Sequence, residues 1–143
     1  MPDSVVCVDA SVGLGLVLPD PRQEATLRQW GDWVAAGTRL VSPYLFAYET
    51  TSVIRNRVAR GLLSDRLGEA ALAEILAQRV ELLHPDDLEA AAYGLARALG
   101  RPNAYDCFYL ALGQLLDCTT WTLDARLFRA TQRRVSWLRL LPA

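Results

Sequence analysis

Four carboxylates stand where chemistry could use them. Asp9 directly follows the β-branched run SVVCV at residues 4–8, and Asp124 follows CTTWT (118–122) by two residues. Glu49 falls within PYLFAYETT (43–51), and Asp106 opens AYDCFYLALGQLL (104–116), which is otherwise almost wholly apolar. Acids just past the carboxyl ends of strands lie on the rim where open α/β sheets take their ligands. Leu45, Glu49 and Val53 are four apart and share one helical stripe, so Glu49 points toward the core edge. Each acid taken singly has a structural reading. Asp9 and Asp124 suit helix N-caps, Asp106 suits the dipole of a first turn, and Glu49 can reach back to solvent. Taken together, four packed carboxylates would repel and raise each other's pKa values. A divalent cation removes that penalty. One histidine and three scattered cysteines offer no nitrogen or sulfur cluster, so oxygen ligands point to Mg²⁺ or Mn²⁺.

The elements that must position these acids follow from the hydrophobic pattern. Strands are expected over residues 4–8, 39–42, 80–83, 118–122 and 135–140. Helices are expected over 12–18, 21–36, 43–60, 64–78, 85–100, 104–117 and 125–132, bounded by Pro19, Gly37, Pro43, Gly61, Pro85 and Gly100. Alternating strands and helices favour a parallel sheet covered on both faces. No repeat, linker or low-complexity segment interrupts the pattern, and 143 residues suit one domain spanning 1–143.

Composition narrows the class. The chain is 52% apolar and 22% charged, as expected of a globular protein. The longest apolar runs fall far short of the roughly 20 residues of a membrane span, and Met1-Pro2-Asp3 begins no signal-peptide pattern, so a cytoplasmic protein is expected. Cys7, Cys107 and Cys118 read as buried reduced thiols. All 15 basic residues are arginine. Arginine suits phosphate because its planar fork binds two oxygens at once. The formal net charge is −1, and setting aside the four acids leaves the rest of the chain at +3.

Several enzyme classes fail on particular residues. A phosphoacceptor receiver domain needs a lysine, and the chain has none. A haloacid-dehalogenase-type phosphatase needs a second aspartate two residues after the first, where Ser11 stands. VGLGL (12–16) lacks the spacing of a phosphate-binding loop and reads as close helix packing. There is no G-x-S-x-G elbow, and His84, beside Pro85, is a poor triad base and a better surface residue.

VDASV (8–12), PYLFAYETTSVIRN (43–56), AYDCFYLALG (104–113) and TWTLDARLF (120–128) together resemble the PIN domain family, specifically VapC-type toxin ribonucleases, in order and spacing across essentially the whole chain. The resemblance implies a three-layer α/β/α sandwich around a mainly parallel sheet of four to five strands. It implies that Asp9, Glu49, Asp106 and Asp124 form the catalytic and metal-binding quartet, supported by the hydroxyls of Ser11 and Thr122. Ser52 departs from the asparagine such toxins often carry three residues after the glutamate. The implied activity is Mg²⁺- or Mn²⁺-dependent endoribonuclease, as the toxin of a toxin–antitoxin pair. The implied partners are RNA, a small antitoxin and a second copy of the chain. Arg55, Arg57 and Arg126 are candidate RNA contacts near the acids, with surface ion pairing as the alternative. Trp30, Trp33, Trp121 and Trp137 read as core rather than as base-stacking surfaces. The apolar positions of residues 61–80, among them Leu62, Leu63, Leu67, Leu72 and Leu76, cover more than one helical face. They serve either the core or an interface. The rival from another class is a PIN scaffold that binds RNA or protein without cutting, against which an intact quartet argues because unused buried acids cost stability.

Overall fold

The computed structural model describes residues 3–142. Met1, Pro2 and Ala143, the ends of the expected domain, lie outside the described residues. In chain order the elements are β1 (Val5–Val8), α1 (Ala10–Val17), α2 (Gln23–Ala35), β2 (Arg39–Ser42), α3 (Leu45–Ala59), α4 (Asp65–Ala77), β3 (Glu81–Leu82), α5 (Leu88–Ala98), α6 (Tyr105–Leu115), β4 (Thr119–Thr122), α7 (Ala125–Thr131) and β5 (Leu138–Leu140). Every strand and helix expected from the pattern is present. The ends shift for local reasons. Helix α1 begins at Ala10 rather than residue 12 because Asp9 caps it, its side chain accepting from the Val12 N–H. Strand β5 is shorter than 135–140 because the N–H groups of Arg134 and Val135 both turn back to the Thr131 carbonyl.

The five strands form one sheet in the order β3-β2-β1-β4-β5, and every pairing is parallel. Alternation along the strands divides the core between the two faces. Val6, Val8 and Leu40 pack with α1–α4 residues such as Leu16, Trp30, Phe46 and Ile75. Cys7 and Val41 face the other way, onto Leu88 and Ala92 of α5 and Cys107 and Ala111 of α6. Strands buried on both faces read as unbroken apolar runs, which is why VVCV shows no polar alternation. A third cluster seats α7 and β5 against Leu110. The expected three-layer sandwich is therefore present.

The glycines of VGLGL serve the packing of α1. A Cβ on Gly13 would lie 2.7 Å from the Phe46 ring, and one on Gly15 would lie 2.5 Å from Leu123 Cδ1. Their absence lets α1 settle onto α3 and onto the loop that carries Asp124.

Candidate active site

The strand order places a topological switch at β1. From β1 the chain builds outward to β2 and β3 on one side and to β4 and β5 on the other. The crevice at such a switch, beyond the carboxyl ends of the strands, is where α/β sheets bind ligands. Asp9 leaves β1 there, held by its own N–H to the Trp121 carbonyl of β4 at 3.1 Å. Asp124 leaves β4 on the same rim. Glu49 comes from α3, the helix after β2, and Asp106 from the first turn of α6, the helix before β4.

Hydroxyls join the ends of β1 and β4. The Ser11 hydroxyl donates to Asp9 Oδ1 at 2.5 Å and accepts from the Leu123 N–H at 2.8 Å. Its single proton being used, the 3.3 Å contact with Thr122 Oγ1 runs from Thr122 to Ser11. Thr122 Oγ1 in turn accepts from the Asp124 N–H at 3.0 Å. Ser11 and Thr122 thus fix Asp9 against the loop bearing Asp124. Both aspartates are N-caps as well, so the bland reading of each holds alongside the other. Asp9 Oδ1 accepts from the Val12 N–H, and Asp124 Oδ1 from Arg126 and Leu127 N–H at 3.0 Å each. In each cap the work falls on Oδ1, which leaves Oδ2 for another partner.

Burial pushes the Asp9 carboxyl up to about 6, against the pull of the Ser11 and Thr122 hydroxyls and the Val12 N–H, and the charge of Asp106 adds to the rise. Burial likewise raises Glu49, opposed by a hydrogen bond from Tyr109 and reinforced again by Asp106. Asp106 is therefore within electrostatic reach of both Asp9 and Glu49. Asp124 is more exposed and stands beside Arg22, whose charge answers to it.

Three residues not singled out by the pattern shape the site. The Tyr109 hydroxyl donates to Glu49 Oε1 at 2.8 Å, tying α6 to α3. Tyr109 lies three residues after Asp106, so its shared helical face was a readable signal. Arg101 pairs with Asp106, Nη2 to Oδ2 at 3.0 Å. It precedes α6 across the turn RPNA, where no periodicity applies. Arg22 pairs with Asp20 at 2.9 Å and donates to the Leu123 carbonyl, 101 residues along the chain. That contact leaves no local sequence trace.

The arginines chosen as candidate RNA contacts separate. The Asp20 carboxyl is lowered chiefly by its hydrogen bond from Arg22, with a smaller pull from the nearby charge of Arg57, and Arg126 is exposed in the first turn after Asp124. Arg55 instead lines a cavity of about 300 Å³ between α3 and α4 with Asp65 and Glu69. His84 is a surface residue paired with Glu89 at 2.6 Å. Cys7, Cys107 and Cys118 are free thiols. Trp30 and Trp33 are buried, and Trp121 stacks edge-on against Trp33 at 5.4 Å.

The sequence matches the PIN domain family over residues 6–133. The chain belongs to the PIN domain family. Two solved structures share the architecture. One is PAE2754 from Pyrobaculum aerophilum, with a TM-score of 0.67 and 18% identity over 90% of this chain and 87% of that one. The other is VapC20 of Mycobacterium tuberculosis, a toxin that cleaves the sarcin-ricin loop, with a TM-score of 0.64 and 22% identity over 87% of this chain and 94% of that one. At these identities the likeness establishes the fold. No curated protein sequence matches the chain.

The donor chemistry of this PIN domain fits a hard divalent cation, with oxygen donors throughout and an uncommitted carboxylate oxygen on Asp9 and Asp124. The side chains are nonetheless held apart. Among the described residues no three acids, histidines or cysteines converge closely enough to hold a metal ion. Arg101 occupies one oxygen of Asp106, and Tyr109 occupies one oxygen of Glu49.

Proposed function

We propose that this PIN domain is a Mg²⁺- or Mn²⁺-dependent endoribonuclease, the toxin of a toxin–antitoxin pair. The observation that carries the reading is a PIN-family sheet whose switch-point rim bears Asp9 and Asp124, with the charge of Asp106 felt at both Asp9 and Glu49. Asp9, Asp106 and Asp124 would hold the metal, with Glu49 as a further ligand or as the group that orients water. A bound ion supplies hydroxide near neutral pH and charge stabilisation for the phosphate.

The chain's own residues do the rest. Ser11 fixes the orientation of Asp9, and Thr122 fixes Ser11. The Tyr109 hydroxyl holds Glu49 Oε1, which leaves Oε2 to accept a hydrogen bond from water at the scissile phosphate. Burial keeps the Tyr109 phenol protonated, with the charge of Glu49 acting in the same sense, so its O–H remains the donor to Glu49. Arg57 and Arg126 supply positive charge beside an acidic rim and would contact backbone phosphates. Arg55, facing α4, is the weakest of the three candidates.

VapC20 cleaves an RNA loop, and its structural likeness supports an RNA substrate for this chain. It also supports an antitoxin partner, and we add a homodimer to the proposal. Leu62, Leu67 and Leu76 are 58–66% exposed on and beside α4 and provide apolar surface for such contacts. No described helix is long and apolar enough to cross a membrane, which suits the proposed cytoplasmic role, with the whole of 1–143 as one PIN domain.

The test is cleavage of a fluorogenic single-stranded RNA with Mn²⁺, with Mg²⁺ and with chelator, using Asp106→Asn purified in parallel. Metal-dependent cleavage lost in the variant is the expected result. Equal behaviour of both proteins would favour the non-cutting scaffold.

A further inference from the structure

We infer that Arg101 is a built-in competitor for the candidate metal site. Its guanidinium takes Asp106 Oδ2, leaving Oδ1 as the one oxygen open to a cation beside Asp9 and Glu49, and its charge opposes that cation. The inference rests on the metal-dependent reading above.

Among the described residues, Arg101 is the only cation paired in a salt bridge with any of the four acids. The pair is not surface decoration, because the two side chains are only 29% and 42% exposed. It engages Asp106 Oδ2, and a carboxylate oxygen held by a guanidinium is not free to ligate a metal. A cation arriving among Asp9, Glu49 and Asp106 would also meet the positive charge of Arg101 at close range. By linkage, whatever the guanidinium contributes to holding Asp106 is subtracted from metal affinity.

The backbone at Arg101 is fixed, so the side chain is what can move. Helix α5 closes through Gly100 at φ 65, and the Arg101 N–H returns to the Ala96 carbonyl at 2.8 Å. Room to withdraw is present. A cavity of about 380 Å³ beside Arg101 is lined by Tyr93, Arg97, Pro102 and Asn103. Arg97 already lies over the Tyr93 ring at 5.7 Å, so the cavity accommodates a guanidinium.

Calorimetric Mn²⁺ titration of the wild type, Arg101→Gln and Arg97→Gln tests this. Arg97→Gln removes the same charge one turn away. Arg101→Gln should bind Mn²⁺ about fivefold or more tightly than the wild type, and Arg97→Gln should stay within about twofold, the range of exposed charge effects. Without metal, Arg101→Gln should melt at lower temperature than the wild type, and saturating Mn²⁺ should narrow the gap. If Arg101→Gln fails to fold, Arg101→Met, which keeps the apolar stem but not the charge, must shift affinity the same way. Unchanged or weaker Mn²⁺ binding in the Arg101 variants, or equal tightening in Arg97→Gln, overturns the competition and leaves the metal site standing. Absence of Mn²⁺ binding in every protein overturns both.

Discussion

Asp9 carries opposing demands. As a buried carboxylate it weakens the fold, and as a proposed ligand it is indispensable. Its folded value of about 6 lies above the unfolded 3.8, so the native state holds the proton more tightly. The penalty for ionised Asp9 is therefore fully present above pH 6 and is relieved as pH falls from 6 toward 4. Asparagine keeps the cap and removes the charge. In chelator at pH 8, Asp9→Asn should raise the unfolding free energy, by up to about 3 kcal/mol for a two-unit shift. The gain should fade by pH 4, as read from urea melts across that range. Saturating Mn²⁺ should stabilise the wild type and leave the variant unmoved. Tyr109→Phe removes the donor to half-buried Glu49, and chemical denaturation should show a loss of about 1 kcal/mol. Cleavage should fall but persist, since Glu49 itself remains.

At the scale of elements, the site depends on how closely α1 approaches α3. Gly13→Ala places a methyl against the Phe46 ring, which is buried and cannot step aside. The helix-propensity gain of about 1 kcal/mol for alanine over glycine is outweighed by overpacking of about 1–3 kcal/mol. Thermal unfolding should show net destabilisation. The elements themselves were legible because apolar runs, prolines and capping residues are local signals, and they placed Asp9 and Asp124 on one rim before any contact was known. The arginine contacts around the acids were not legible. Arg101 reaches Asp106 across an aperiodic turn, and Arg22 reaches Leu123 from the far end of the chain, so neither leaves a spacing to read. Tyr109 lay on the same helical face as Asp106, but its apolar ring suited the core equally well.

For the molecule as a whole, the proposed homodimer draws on the exposed leucines around α4. Light scattering should return twice the mass of the chain. A mass of one chain at micromolar concentration would remove the homodimer from the account. The family places this fold among PIN domains, yet fold alone does not confer activity. What distinguishes a nuclease from a scaffold here is whether Asp9, Glu49, Asp106 and Asp124 close on an ion. The most direct measurement is paramagnetic broadening of backbone amide NMR signals on adding Mn²⁺. The account predicts loss of signal around Asp9, Glu49, Asp106 and Asp124 together, reversed by chelator and absent in Asp9→Asn. Broadening confined to other acidic surface positions, or none at all, would contradict it.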